Sequence, residues 1–218
     1  MPEGRLFIGT RRYSSWSLRG WLAVRLARLD VEEVVIALAT QSTAAIKGAS
    51  PTGMVPCLEH GGARIWDSLA IGEYCAELTP GLWPADRMVR AHARSVTAEM
   101  HSGFRELRVA MPMNLGRDFA GRGRTTGALA DIARIEALWA ECLAAHGGPY
   151  LFGANFTLAD AFYAPVVARF LTWQPQLTGT SMAYVEAVRA HPLVAEWYDL
   201  ARAEPAEWLL DKYENPAT

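Results

Sequence analysis

The rhythm of hydrophobic and polar positions changes near residue 79 of this chain. Before that point, short strand-like runs alternate with helical ones: "RLFIG" (5–9), "SLRGWLAVRLARL" (17–29), "EEVVIAL" (32–38), a polar loop region, "VPCLE" (55–59), "ARIW" (63–66) and "SLAIGEYCAEL" (68–78). Within the first helical run Leu18, Trp21, Leu22, Leu26 and Leu29 share one face, while Arg19, Arg25 and Arg28 fall largely off it. That stripe predicts a helix lying on a sheet. "HGG" at 60–62 separates two strand candidates and predicts a tight hairpin, because glycine adopts positive φ without steric cost.

The stretch "TPGLWPADR" (79–87) breaks both patterns, and helical periodicity dominates from there: 87–111, 125–146, 158–173, 181–190 and 193–204. In "NFTLADA" Thr157 and Asp160 form a capping box, with Phe156 placed to staple onto the first turn. The glycine-rich "GRDFAGRGRTTG" (116–127) follows no strand and lacks G-x-G-x-x-G spacing, so it is expected to be a solvated basic loop rather than a phosphate cradle.

Composition narrows the function classes. With 218 residues, 51% hydrophobic and 20% charged, the chain can bury a sizeable core in one large or two small domains. A formal net charge of -2 argues against bulk-charge binding to nucleic acid or membrane, and no apolar run is long enough to span a bilayer. The expected location is cytoplasmic. Cys57, Cys75 and Cys142 are widely spaced with no CxxC pair, so buried thiols are expected and neither a disulfide framework nor a metal site.

Two places carry candidate chemistry. In "YSSWS" (13–17), serines fall where a strand turns into a helix; a hydroxyl there can cap the helix or hold a thiolate beside exposed amides. In "MVPCLE" (54–59), Pro56 opens a strand. A cis Val55–Pro56 bond would leave the Val55 backbone free to pair with an extended peptide, although only about 5% of such bonds are cis and a trans proline is the expectation.

Taken in order, the strand-opening "VP", the "DS" pair at Asp67 and Ser68, the "FTLAD" box and an all-helical second half resemble the cytosolic glutathione transferase superfamily. The likeness spans essentially the whole chain. "SSWSLRGW" (14–21) is similar to the "SSCSWRVR" run of the zeta class, with Trp16 in place of cysteine and Trp21 in place of the second arginine, and "AEMHSGFRELRVAMPMN" (98–114) resembles a bacterial glutathione transferase-like group.

The resemblance implies an α/β thioredoxin-like glutathione-binding domain over 1–80, a linker at 79–86 and an all-α helical-bundle domain over 87–218. It also implies that Ser14 or Ser15 contacts the glutathione sulfur, that Val55 beside Pro56 pairs with the cysteinyl backbone, and that Asp67 and Ser68 bind the γ-glutamyl group. Ser14 is preferred for the sulfur, with Ser15 as the cap. Met54 stands where many relatives carry lysine or glutamine. One hydrogen bond to a charged group contributes roughly 1.5–3 kcal/mol, enough to lower a thiol pKa near 8.5 by about one to two units with no metal.

The electrophile is expected against the first bundle helix, where Met100, His101, Phe104, Arg108 and Met111 recur along one side behind Trp16. Addition of glutathione to a small hydrophobic electrophile is the leading function. Isomerisation of an unsaturated dicarboxylic acid is the alternative and would need cations such as Arg11, Arg12 and Arg108; a non-enzymatic binding protein of the same fold is the third reading. A homodimer is expected.

Overall fold

A computed structural model describes residues 2–38 and 42–216. The first half builds a four-stranded sheet from β1 (Gly4–Gly9), β2 (Val31–Ile36), β3 (Cys57–His60) and β4 (Ala63–Ile65), in the order β2-β1-β3-β4. β1 runs parallel to β2 and antiparallel to β3, and β3 pairs antiparallel with β4. The "HGG" hairpin forms as expected: Gly61 and Gly62 have φ of 57° and 82°.

Helix α1 (Ser15–Leu26) buries Leu18, Trp21 and Leu22 of the predicted stripe, with Leu26 and, just past the helix, Leu29 half-buried against the core; it also buries Arg19, which is 0% exposed rather than solvated. The region read as a polar loop contains α2 (Ser42–Ala49). Helix α3 (Ser68–Leu78) starts at Asp67, whose carboxylate accepts from the Leu69 and Ala70 amides. At Gly20 a side chain would meet the Pro56 ring at 2.8 Å, so the glycine is what lets the loop before β3 lie on α1.

The single helix predicted over 87–111 is two. α4 (Arg87–Ser102) ends at Gly103, where a Cβ would sit 2.6 Å from the Glu99 carbonyl oxygen; Phe104 then takes φ of 57°, and α5 (Arg105–Ala110) leaves in a new direction. Helices α6 (Thr126–His146), α7 (Leu158–Trp173), α8 (Gly179–Ala190) and α9 (Pro192–Arg202) follow, then a short turn at Ala206–Trp208 and α10 (Asp211–Glu214), which the periodicity did not reveal. α7 is buried almost all round, and its Thr157–Asp160 capping box is present, with Asp160 also accepting from the Leu151 amide and the Tyr184 hydroxyl. Because α1 packs on α3 and on α7, the first helix is the seam between the halves. Among the described residues no helix is long and apolar enough to cross a membrane.

Candidate functional site

The two serines at the start of α1 are held differently. Ser14 is the N-cap: its Oγ accepts from the Ser17 amide at 3.3 Å and donates to Ser17 Oγ at 2.7 Å, which in turn accepts from the Gly9 amide at 2.9 Å. The expected division of labour is therefore corrected, since the cap is Ser14 and not Ser15. The hydroxyl proton of Ser14 is spent inside the fold. Ser15 Oγ has one contact, a long one of 3.4 Å from Arg169 Nη2, where it acts as acceptor. Both serines line a cavity of about 420 Å³ between the halves, together with Tyr13, Leu38, Ile46, Met113 and Tyr213.

Beside it a second cavity of about 590 Å³ is lined by Met54, Val55, Pro56, Trp66, Asp67 and Ser68. The Val55–Pro56 bond is cis, against the trans expectation, and Trp66–Asp67 is cis as well. Ser68 is fully buried and its Oγ has no partner. Asp67 spends one oxygen on the α3 amides and the other on His101 Nε2 at 3.1 Å, a bridge from the sheet half to the bundle. Burial holds His101 below the usual imidazole range, opposed by Asp67 and reinforced by Arg19 and Arg108.

Trp16 borders both cavities and is 39% exposed. The Arg19 and Arg108 guanidinium carbons lie 4.7 and 4.9 Å from its ring centre, and His101 meets its edge at 5.2 Å. Arg108 gives its Nε to the Gly103 carbonyl and its Nη2 to the carbonyls of Met100 and His101, leaving Nη1 unpartnered. The expected apolar wall is corrected. Met100 and Met111 are 0% exposed and Phe104 7%, all within the core, because the break at Gly103 removes them from a common face. Arg11 and Arg12 are corrected too: they pair with Glu33 and Glu204, and with Glu214, outside the pocket's cationic face.

Sequence reasoning missed Arg169. It lies in "LADAFYAPVVARFLTW" (158–173), and a lone arginine in a run that apolar is the signal that could have found it. It also missed Tyr213, brought to the cavity by contacts far along the chain: Glu214 accepts from the Tyr13 hydroxyl at 2.5 Å and from Asn114 at 3.0 Å, and Tyr213 stacks on Tyr13. Burial and the bond to Glu214 push the Tyr13 phenol far above its usual range, and because its proton is already given to Glu214 that hydroxyl has none left for a thiolate. The three cysteines are buried, as expected, and burial raises their thiols.

Comparison with known proteins agrees with this layout. The model of the glutathione S-transferase N-terminal domain matches residues 13–78, and that of the C-terminal domain matches 91–200. A probable maleylacetoacetate isomerase of Caenorhabditis elegans is 32% identical over 72% of this chain and 74% of its own; the maleylacetoacetate isomerase of Rattus norvegicus is 30% identical over 77% and 79%. Among solved structures, a bacterial maleyl pyruvate isomerase of the zeta class superposes with TM-score 0.71 at 25% identity, covering 93% of this chain and 100% of that one. A glutathione transferase homologue from Burkholderia, solved with bound glutathione, superposes with TM-score 0.70 at 23% identity, covering 94% and 100%.

Proposed function

The chain belongs to the glutathione S-transferase family, and on that premise we propose that it ionises the thiol of glutathione at Ser15 for attack on a small electrophile held between the halves. The observation that carries this reading is the difference between the serines: Ser14 has used its proton on Ser17, whereas the Ser15 proton is free to face the cavity. Glutathione would run along the cleft with its γ-glutamyl carboxylate at the buried, unpartnered Ser68 hydroxyl and the first amides of α3, its ammonium at Asp67, and its cysteinyl backbone on Val55 next to the cis Pro56. Residues 1–80 then form the glutathione half, and 87–218 supply the wall for the second substrate. A homodimer, as the sequence suggests, remains part of this proposal.

Isomerisation of an unsaturated dicarboxylic acid is the second reading. It is favoured by the pocket's charge: Arg108 and Arg169 line it, and no carboxylate does so among the described residues. Such an electrophile adds the thiolate, rotates about the saturated bond and expels it, returning the glutathione unchanged, so the cations need only hold its anionic ends.

Thermal shift with millimolar glutathione, followed by turnover of a neutral electrophile and of a cis-unsaturated dicarboxylate, tests both. Stabilisation by glutathione is expected. Its absence overturns the glutathione reading; stabilisation with turnover of the dicarboxylate alone selects the isomerase.

A further inference from the structure

We propose that Arg169, given that Ser15 faces the sulfur as above, is a positioning residue of the thiolate site: it donates to Ser15 Oγ, turning the serine's one proton toward the sulfur, and it brings the positive charge that favours the ionised thiol.

The geometry is specific. Arg169 is 4% exposed, on a helix enclosed by the bundle and by α1. Its Nη1 bonds the Pro165 carbonyl at 3.0 Å, its Nη2 reaches Ser15 Oγ at 3.4 Å, and its Nε has no partner. A hydroxyl that accepts from a cation through a lone pair keeps its own hydrogen for another acceptor. Ser15 is thereby a donor with one place to donate, the cavity.

The charge argument is independent of the hydrogen bond. The charged and titratable groups facing Arg169 are Arg108 on α5, Arg19 on α1 and Tyr213 on α10, and no carboxylate pairs with it among the described residues. A buried guanidinium without an anion is strongly disfavoured. Burial, with Arg108 adding to it, draws Arg169 down to about 9. A thiolate seated at Ser15 is the missing counter-ion: the S–H bond breaks, the proton passes to solvent water, and the electron pair stays on a sulfur beside a guanidinium.

The test is titration of enzyme-bound glutathione by the ultraviolet absorbance of its thiolate, with kcat/KM measured on a neutral electrophile so that recognition of a substrate carboxylate plays no part. Arg169→Met is expected to raise the bound thiol pKa by about one unit, a tenfold loss of thiolate below that pKa, while Arg169→Lys keeps most of the wild-type value. In a Ser15→Ala background Arg169→Met should shift the thiol pKa by less than it does in the wild type, because the charge is then lost but there is no serine proton left to orient. An unchanged thiol pKa in folded Arg169→Met overturns the proposal, and so does a full second shift on top of Ser15→Ala, since the arginine would then act without the serine. If Arg169→Met does not fold, Arg169→Gln removes the charge while its amide can still donate to Ser15, so a smaller rise in the bound thiol pKa is expected, and an unchanged value overturns the proposal. A wild-type enzyme that binds glutathione with an ordinary thiol pKa overturns the Ser15 reading itself, which Arg169 variants alone would not do.

Discussion

Two clusters of arginines flank the first strand–helix turn, and they are built on opposite rules. On one side Arg11 lies 2.7 Å from Glu33 and 3.8 Å from Glu204, which also accepts from the amides of Arg11 and Arg12, and the Arg11 guanidinium sits over Trp197. Every charge there has its opposite. On the other side Arg19, Arg108 and Arg169 face one another around Trp16 and Ser15, with aromatic rings and carbonyls for partners and buried N–H groups left over. Paired charge tightens the fold; unpaired buried charge is tolerated where a ligand completes it. The first cluster reads as glue between the halves and the second as a receptor for anions.

Breaking the paired cluster should have the largest effect. Arg11→Met leaves Glu204 without the Arg11 cation and Glu33 with only Arg25, 3.6 Å away, and is expected to lower stability by about 2–3 kcal/mol in urea unfolding, with glutathione affinity little changed. Arg108→Met removes carbonyl contacts at the end of α4, about 1–2 kcal/mol of stability, yet its main signature is selective: kcat/KM for an unsaturated dicarboxylate falls about tenfold, and for a neutral electrophile less than threefold. Equal losses on both substrates would dissolve the contrast between the clusters.

A dicarboxylate present at three times its Kd should stabilise the wild type by about 0.8 kcal/mol in thermal unfolding, and Arg11→Met should keep that increment because its lesion lies outside the anion site. The smallest effect concerns His101, between Asp67 and the unpaired arginines. Its pKa is depressed by burial, so the unfolded chain binds the proton more tightly, and native stability falls as pH drops through and below about 6.5. His191, also depressed by burial, contributes in the same sense, so the readout is the difference: His101→Gln should show a shallower fall than the wild type between pH 7 and 5. An identical slope would remove His101 from the account.

The paired and unpaired clusters also mark where the sequence could be read. Local rules sufficed for the Gly61–Gly62 hairpin, the Thr157–Asp160 box and the stripe on α1, each determined within one or two turns of chain. Arg19 was legible as polar but not as buried, because its surroundings, Phe162 and Trp16 with Arg108 beyond, are set by how α7 and α5 dock. The serines show the same limit. Adjacent side chains must diverge, which the sequence implied, but which one caps depended on Ser17 and Gly9, and the free hydroxyl met an arginine 154 residues away. The wall of Met100, Phe104 and Met111 failed because helical periodicity was carried through Gly103, where the backbone leaves the helix.

Gly20 bears on any effort to make this protein hardier. In mid-helix an alanine is worth roughly 1 kcal/mol more than glycine, so a routine stabilisation scheme would exchange it. Here the added methyl would lie 2.8 and 3.0 Å from the Pro56 ring, a rigid neighbour that cannot swing aside. The displaced loop would carry Val55 away from the serines, and the helix would gain in strength what the cleft loses in register.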